Sequence, residues 1–141
     1  MKDLNEFKYE FGLGNVGAFQ LGAKPYASAS LAIGISSSAP VHVEFPAVTQ
    51  FVTVRNAVPT TEADAPIRFG WSALGVSGSG TNYIELENGA SYTGAWMCTD
   101  IYIIGTALTS SADIVAGMAH VRREKLSEAP LLNWTGTVGV G

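Results

Sequence analysis

Phe7, Tyr9 and Phe11 alternate with Lys8 and Glu10 near the start of the chain. A period of two places all three rings on one face of an extended segment. Residues 12–25 are small, Gly-rich and almost uncharged, and residues 26–35 continue in small and β-branched side chains, a pattern of extended chain laid on another surface. After the break Ser36-Ser37-Ser38-Ala39-Pro40, residues 41–45 and 51–55 alternate apolar with polar and are β-branched, which predicts two strands. A loop of Pro, Thr, Glu, Ala and Asp follows over 59–66. Ile67-Arg68-Phe69-Gly70-Trp71 reads as a strand, and the Gly/Ser run over 75–80 as a mobile loop.

Tyr83-Ile84-Glu85-Leu86 leads into Asn88-Gly89, a dipeptide that tolerates positive φ. A tight hairpin is expected there, with residues 92–98 returning beside 83–86. Asp100-Ile101-Tyr102-Ile103-Ile104-Gly105 is apolar on both faces and predicts a central strand. Over 112–125 the residues Ile114, Val115, Met118 and Val121 fall near helical spacing, yet Gly117 and the neighbouring strands favour a strand there too. Short strands every 8 to 12 residues or so, separated by turn signals, predict an all-β fold. The expectation is a β-sandwich or jelly-roll-like domain over 26–141, preceded by an extended N-terminal arm over 1–25.

Composition sharpens this picture. Of 141 residues, 47% are hydrophobic and only 14% charged, against about 25% charged in an average soluble domain. Much of the surface is therefore expected to meet partners rather than water. A formal charge of −4 argues against nucleic acid, whose binding draws on clustered Lys and Arg. The polar start Met1-Lys2-Asp3-Leu4-Asn5-Glu6 has no apolar run behind it, so no secretory signal is expected. Apolar stretches such as 101–104 fall far short of the roughly 20 residues that span a bilayer. The expected product is soluble, made in the cytoplasm, with no membrane partner.

Motifs for catalysis are weak. Gly12-Leu13-Gly14-Asn15-Val16-Gly17 fits the dinucleotide fingerprint, but that loop must open a helix whose N-terminus faces the pyrophosphate, and Pro25 stops any helix almost at once. Nucleophilic catalysis needs a base, and His42 and His120 each sit among apolar residues in a predicted strand, as structural histidines do. Glu85 and Glu87, or Glu62 and Asp64, make a glycosidase pair only across a cleft; a solvated polar face is the far more ordinary account of them. Cys98 is the sole cysteine and reads as a small buried hydrophobe. No His, Cys, Asp or Glu group has metal-ligand spacing, so neither metal nor other cofactor is expected, and the chain is not expected to be an enzyme. Trp71, Tyr92, Trp96 and Trp134 are candidates for stacking on sugar rings, although strand aromatics more often serve a core or a subunit interface.

The succession Phe51-Val52-Thr53-Val54-Arg55-Asn56, Ile67-Arg68-Phe69-Gly70-Trp71-Ser72, Asn82-Tyr83-Ile84-Glu85-Leu86 with Asn88-Gly89, Thr99-Asp100-Ile101-Tyr102-Ile103 and Ala112-Asp113-Ile114-Val115-Ala116-Gly117 resembles small virion proteins of tailed phages and gene-transfer agents, of the head-decoration (cement) or head-spike-base type. The resemblance covers roughly residues 41–121 and rests on strand patterns. It implies a β-sandwich on the capsid exterior, assembled as a symmetric homo-oligomer, a trimer above all, with an arm gripping the major capsid protein. Phe7, Tyr9 and Phe11 would anchor that arm by adding a strand to a neighbour's sheet; an ordinary first core strand is the other reading. The alternative function is a carbohydrate- or receptor-binding module of a virion, using Trp71, Tyr92 and Trp96.

Overall fold

The computed structural model describes residues 20, 22–33, 39–77 and 80–124. Eight strands follow one another: β1 (Tyr26–Ala32), β2 (Val41–Glu44), β3 (Ala47–Asn56), β4 (Ile67–Gly70), β5 (Ile84–Leu86), β6 (Ser91–Gly94), β7 (Asp100–Gly105) and β8 (Ser111–Arg122). A single helical turn, α1 (Ala73–Val76), lies between β4 and β5, capped by the Ser72 hydroxyl, which accepts from the Gly75 amide. The anticipated anchors Phe7, Tyr9 and Phe11 lie outside the described residues.

Pairing follows one rule. β1 pairs with β8, β2 with β7, β3 with β6 and β4 with β5, all antiparallel. The chain is thus one long hairpin with β4 and β5 at its tip. That hairpin rolls up when β3 also pairs with β8 and β4 with β7. Two four-stranded sheets result, in the orders β1-β8-β3-β6 and β2-β7-β4-β5. They pack face to face as a sandwich with jelly-roll topology, in agreement with the all-β expectation.

The period-2 pattern explains which side chains fill the space between the sheets. Val52 and Val54 on β3, Ile114, Ala116 and Met118 on β8, Ile67 and Phe69 on β4, and Ile101 and Ile103 on β7 all point inward and are buried. Tyr26 closes one margin edge-on against Phe45, with ring centroids 5.1 Å apart. Chain already lies on the sheet before β1, since the Ala23 amide donates to the Met118 carbonyl at 2.8 Å.

The expected hairpin at Asn88-Gly89 does not form. The turn itself is real: the Ala90 amide donates to the Glu87 carbonyl at 2.9 Å, and Gly89 takes φ of 74°, where a side chain would be strained. Its two flanks, however, join different sheets, β5 on β4 and β6 on β3. Asn88 is engaged by the 59–65 loop, with Oδ1 accepting from the Ala65 amide and Nδ2 donating to the Ala63 carbonyl. Asn56 at the end of β3 holds the other side, donating to the Ala90 carbonyl and accepting from the Gly89 amide. A corner between sheets therefore replaces a hairpin. Residues 95–98 leave the sheet for a related reason: the Thr49 hydroxyl donates to the Trp96 carbonyl at 2.6 Å and accepts from the Cys98 amide, satisfying backbone a ladder would otherwise serve.

Candidate functional site

The two outward faces of the sandwich differ in chemistry. On the β1-β8-β3-β6 sheet, one row across the strands reads Ala27, Val115, Thr53, Thr93, and the next has Phe51 opposite Gly117. Phe51 and Val115 keep 40% and 42% of their surface exposed. The Phe51 ring lies over Gly117, where a Cβ would collide with it. Thr53 and Thr93 share a hydroxyl hydrogen bond of 2.8 Å, and an Arg55–Asp113 ion pair of 3.6 Å borders the area. The result is a face centred on two apolar side chains, with charge confined to the Arg55–Asp113 pair and to the exposed His120 and Arg122 toward the end of β8.

The β2-β7-β4-β5 sheet turns a polar face outward. His42 and Glu44 stand two apart on β2, opposite Tyr102 and Asp100 on β7. The His42 ring stacks on Tyr102, with centroids 4.5 Å apart and 7° between planes. Asp100 is the hub of this group. Its Oδ1 accepts from Arg123 Nη2 at 2.9 Å and lies 2.9 Å from His42 Nε2, and its Oδ2 accepts the Thr99 hydroxyl. Burial pushes the Asp100 carboxyl up, but the Thr99, Arg123 and His42 contacts together outweigh burial and hold it below its usual range. Arg123 also donates to the carbonyls of Phe45 and Thr99, so the end of β8 is tied to β7 and to the β2–β3 corner. Along the same face Arg68 Nε pairs with Glu85 Oε2 at 3.1 Å and the guanidinium lies 4.4 Å above the Tyr83 ring.

The fold gathers the three anticipated stacking aromatics. Trp71 follows β4, Tyr92 lies on β6 and Trp96 follows β6, and together with Phe69 they plug the β6 margin between the sheets. Tyr92 and Trp96 stack at 5.6 Å with 4° between planes, while Trp71 meets Trp96 edge-on at 4.8 Å. Trp96 rests on Gly94, where any Cβ would strike its indole. These rings are thus spent largely on one another; Tyr92 is the one left 46% exposed.

The remaining candidates separate. His120 Nε2 lies 3.0 Å from the Gly22 carbonyl, on the other sheet from His42. Asp64, Glu85 and Glu87 come together around a shallow depression beside Pro66 and Asn88. Cys98 is buried against Thr49, and desolvation raises its thiol pKa. The grouping of His42 and Glu44 with Asp100 escaped the spacing argument because Asp100 is far away in sequence; its one local trace is His-x-Glu on a strand, which places both side chains on one face. No protein-family model, curated protein or solved structure matches this chain.

Proposed function

We propose that the chain is a structural virion protein that binds the outer surface of a phage capsid as a symmetric oligomer and stabilises the shell, as cement or as a spike base. One observation carries this reading: half-exposed Phe51 and Val115 sit together at the centre of one outer face, and the other outer face centres on charged and hydrogen-bonded groups. Apolar surface of this kind serves protein contacts. The jelly roll is a fold used by capsid proteins and lectins alike, and so is compatible without being decisive. The mechanism is mass action: a module that binds assembled capsomers, and not free subunits, shifts the equilibrium toward the shell.

The test is co-sedimentation with shells of a candidate tailed-phage major capsid protein. Three proteins are compared: the full chain, a chain lacking residues 1–24, and the double variant F51D/V115D. The expected result is binding of the full chain at a fixed ratio and loss of binding by F51D/V115D with an unchanged circular dichroism spectrum. Equal binding by the double variant removes the face from the reading, and no binding by the full chain removes the reading itself. The truncated chain reports separately on the arm. A carbohydrate-binding role has one observation in its favour, the exposed Tyr92 ring stacked on Trp96; saturable quenching of tryptophan fluorescence by sugars is the outcome that would select it.

A further inference from the structure

We propose that His42 and Glu44 form a surface site for a divalent cation of the zinc or nickel class, with Asp100 orienting the imidazole. The argument begins with hydrogen-bond roles. Asp100 sits against the Arg123 guanidinium and accepts the Thr99 hydroxyl, so it is an ionised carboxylate with lone pairs only. The 2.9 Å contact to His42 Nε2 therefore needs the hydrogen on the nitrogen. In the neutral imidazole this fixes Nδ1 as the unprotonated atom. That lone pair faces Glu44 Oε1 at 3.6 Å. In that tautomer two acceptors face each other across the gap, and in the imidazolium a hydrogen on Nδ1 fills the same place.

The gap also has the size for a metal cation, which would take that proton's place. Bonds of about 2.1 Å to each atom would close an angle of roughly 120° across the 3.6 Å gap, within reach of a distorted tetrahedral ion. A histidine that binds metal through one nitrogen usually gives its other N–H to a carboxylate, which is the position Asp100 holds. The ligand atoms of His42, Glu44 and Asp100 all lie within 4.8 Å of one another. Asp100 itself is not assigned as a ligand, because Arg123 occupies the same oxygen. Two carboxylates against one guanidinium leave the group net negative, which favours a cation. The imidazole plane is set by stacking on Tyr102, and His42 and Glu44 keep 38% and 63% of their side-chain surface open, so water or a donor from a docked neighbour completes the coordination. One nitrogen donor selects borderline ions over calcium or magnesium.

The test uses the full chain, stripped with EDTA and titrated with zinc chloride at neutral pH, with calorimetry and the histidine side-chain nitrogen signals as readouts. The expected result is one zinc per chain and a zinc-dependent shift confined to His42. His42→Gln abolishes binding, Glu44→Gln weakens it roughly tenfold or more, and His120→Gln leaves it unchanged. Each substitution lies on an exposed strand position, and circular dichroism confirms folding. Absence of a zinc response in the folded wild type, a shift at His120 instead, or unchanged affinity in Glu44→Gln overturns the proposal.

Discussion

Asn56 is a fully buried polar residue at the end of β3, and its side chain joins three parts of the domain. Nδ2 donates to the Ala65 carbonyl at 2.9 Å and to the Leu86 carbonyl at 3.1 Å, while Oδ1 accepts from the Val58 amide at 3.1 Å. Asn56→Ala removes all three bonds and strands three backbone groups away from water. At about 1 to 1.5 kcal/mol for each stranded group, the loss is about 3 to 5 kcal/mol, a large part of the 5 to 15 kcal/mol that holds a typical domain together. The melting temperature should fall by roughly 10 to 15 °C for a chain of this length.

Asn56→Asp separates hydrogen bonding from shape. The side chain keeps its volume, but an oxygen replaces the donor and points at two carbonyl oxygens. Burial and those carbonyls raise the folded-state pKa of the new carboxyl above its unfolded value of about 3.9. The folded state then holds a proton that the unfolded state releases, so stability falls as pH rises, by about 1.4 kcal/mol per pH unit between the two pKa values. Urea unfolding followed by tryptophan fluorescence should therefore find Asn56→Asp much closer to wild type at about pH 4 than at about pH 7, with Asn56→Ala equally impaired at both. A loss below about 1 kcal/mol for Asn56→Ala, or an Asn56→Asp deficit that ignores pH, would refute the idea that Asn56 ties the corner together.

Two further outcomes follow from the geometry. Gly105→Ala would put a Cβ 2.6 Å from the Ile33 carbonyl oxygen, which is backbone and cannot yield, whereas at Gly117 the obstacle is the half-exposed Phe51 ring, which can swing outward; thermal unfolding should show a loss of about 1 to 3 kcal/mol for the first and clearly less for the second, and equal losses would contradict this. The lowered pKa of Asp100 gives stability that is present above its unfolded value of about 3.9 and is lost as pH falls toward the folded value. Arg123→Ala should therefore destabilise at neutral pH, and in melting scans taken well below about pH 4 the gap should narrow to the part owed to the Phe45 and Thr99 carbonyls; a gap that persists unchanged into strong acid would contradict that assignment.

The alternation in Asp100-Ile101-Tyr102-Ile103 was legible because the physics is local: Ile101 and Ile103 face the core and Asp100 and Tyr102 do not. The same rule resolves β8, where Ile114, Ala116 and Met118 are buried at spacing two and Val115 stands outside. Helical spacing of Ile114, Val115, Met118 and Val121 was a coincidence of an apolar strand. At Asn88-Gly89 the local signal for a turn was sound, but nothing local says which sheet receives each flank. Asn56 and Thr49, distant in sequence, decide that through side-chain bonds to backbone. Trp71, Tyr92 and Trp96 could be picked out singly as large aromatics, yet their meeting depends on β3 pairing with β6 beneath β4, which no window of sequence contains.

The rolled hairpin also makes the two proposed surfaces independent of each other. Because β2 pairs with β7 while β3 pairs with β8, the polar side chains of β2 and β7 fall on the outer face of one sheet and Phe51 and Val115 on the outer face of the other, with the apolar core between them. Among the described residues, the core between the sheets is built of uncharged side chains, so a charge introduced at Phe51 or Val115 acts on the opposite face only through unfolding of the whole domain. F51D/V115D should therefore keep full zinc affinity, and Glu44→Gln should keep full affinity for capsid shells. Loss of both properties in either variant would mean instead that one partner surface wraps the edge of the sandwich at β1 and β2, where Tyr26 meets Phe45.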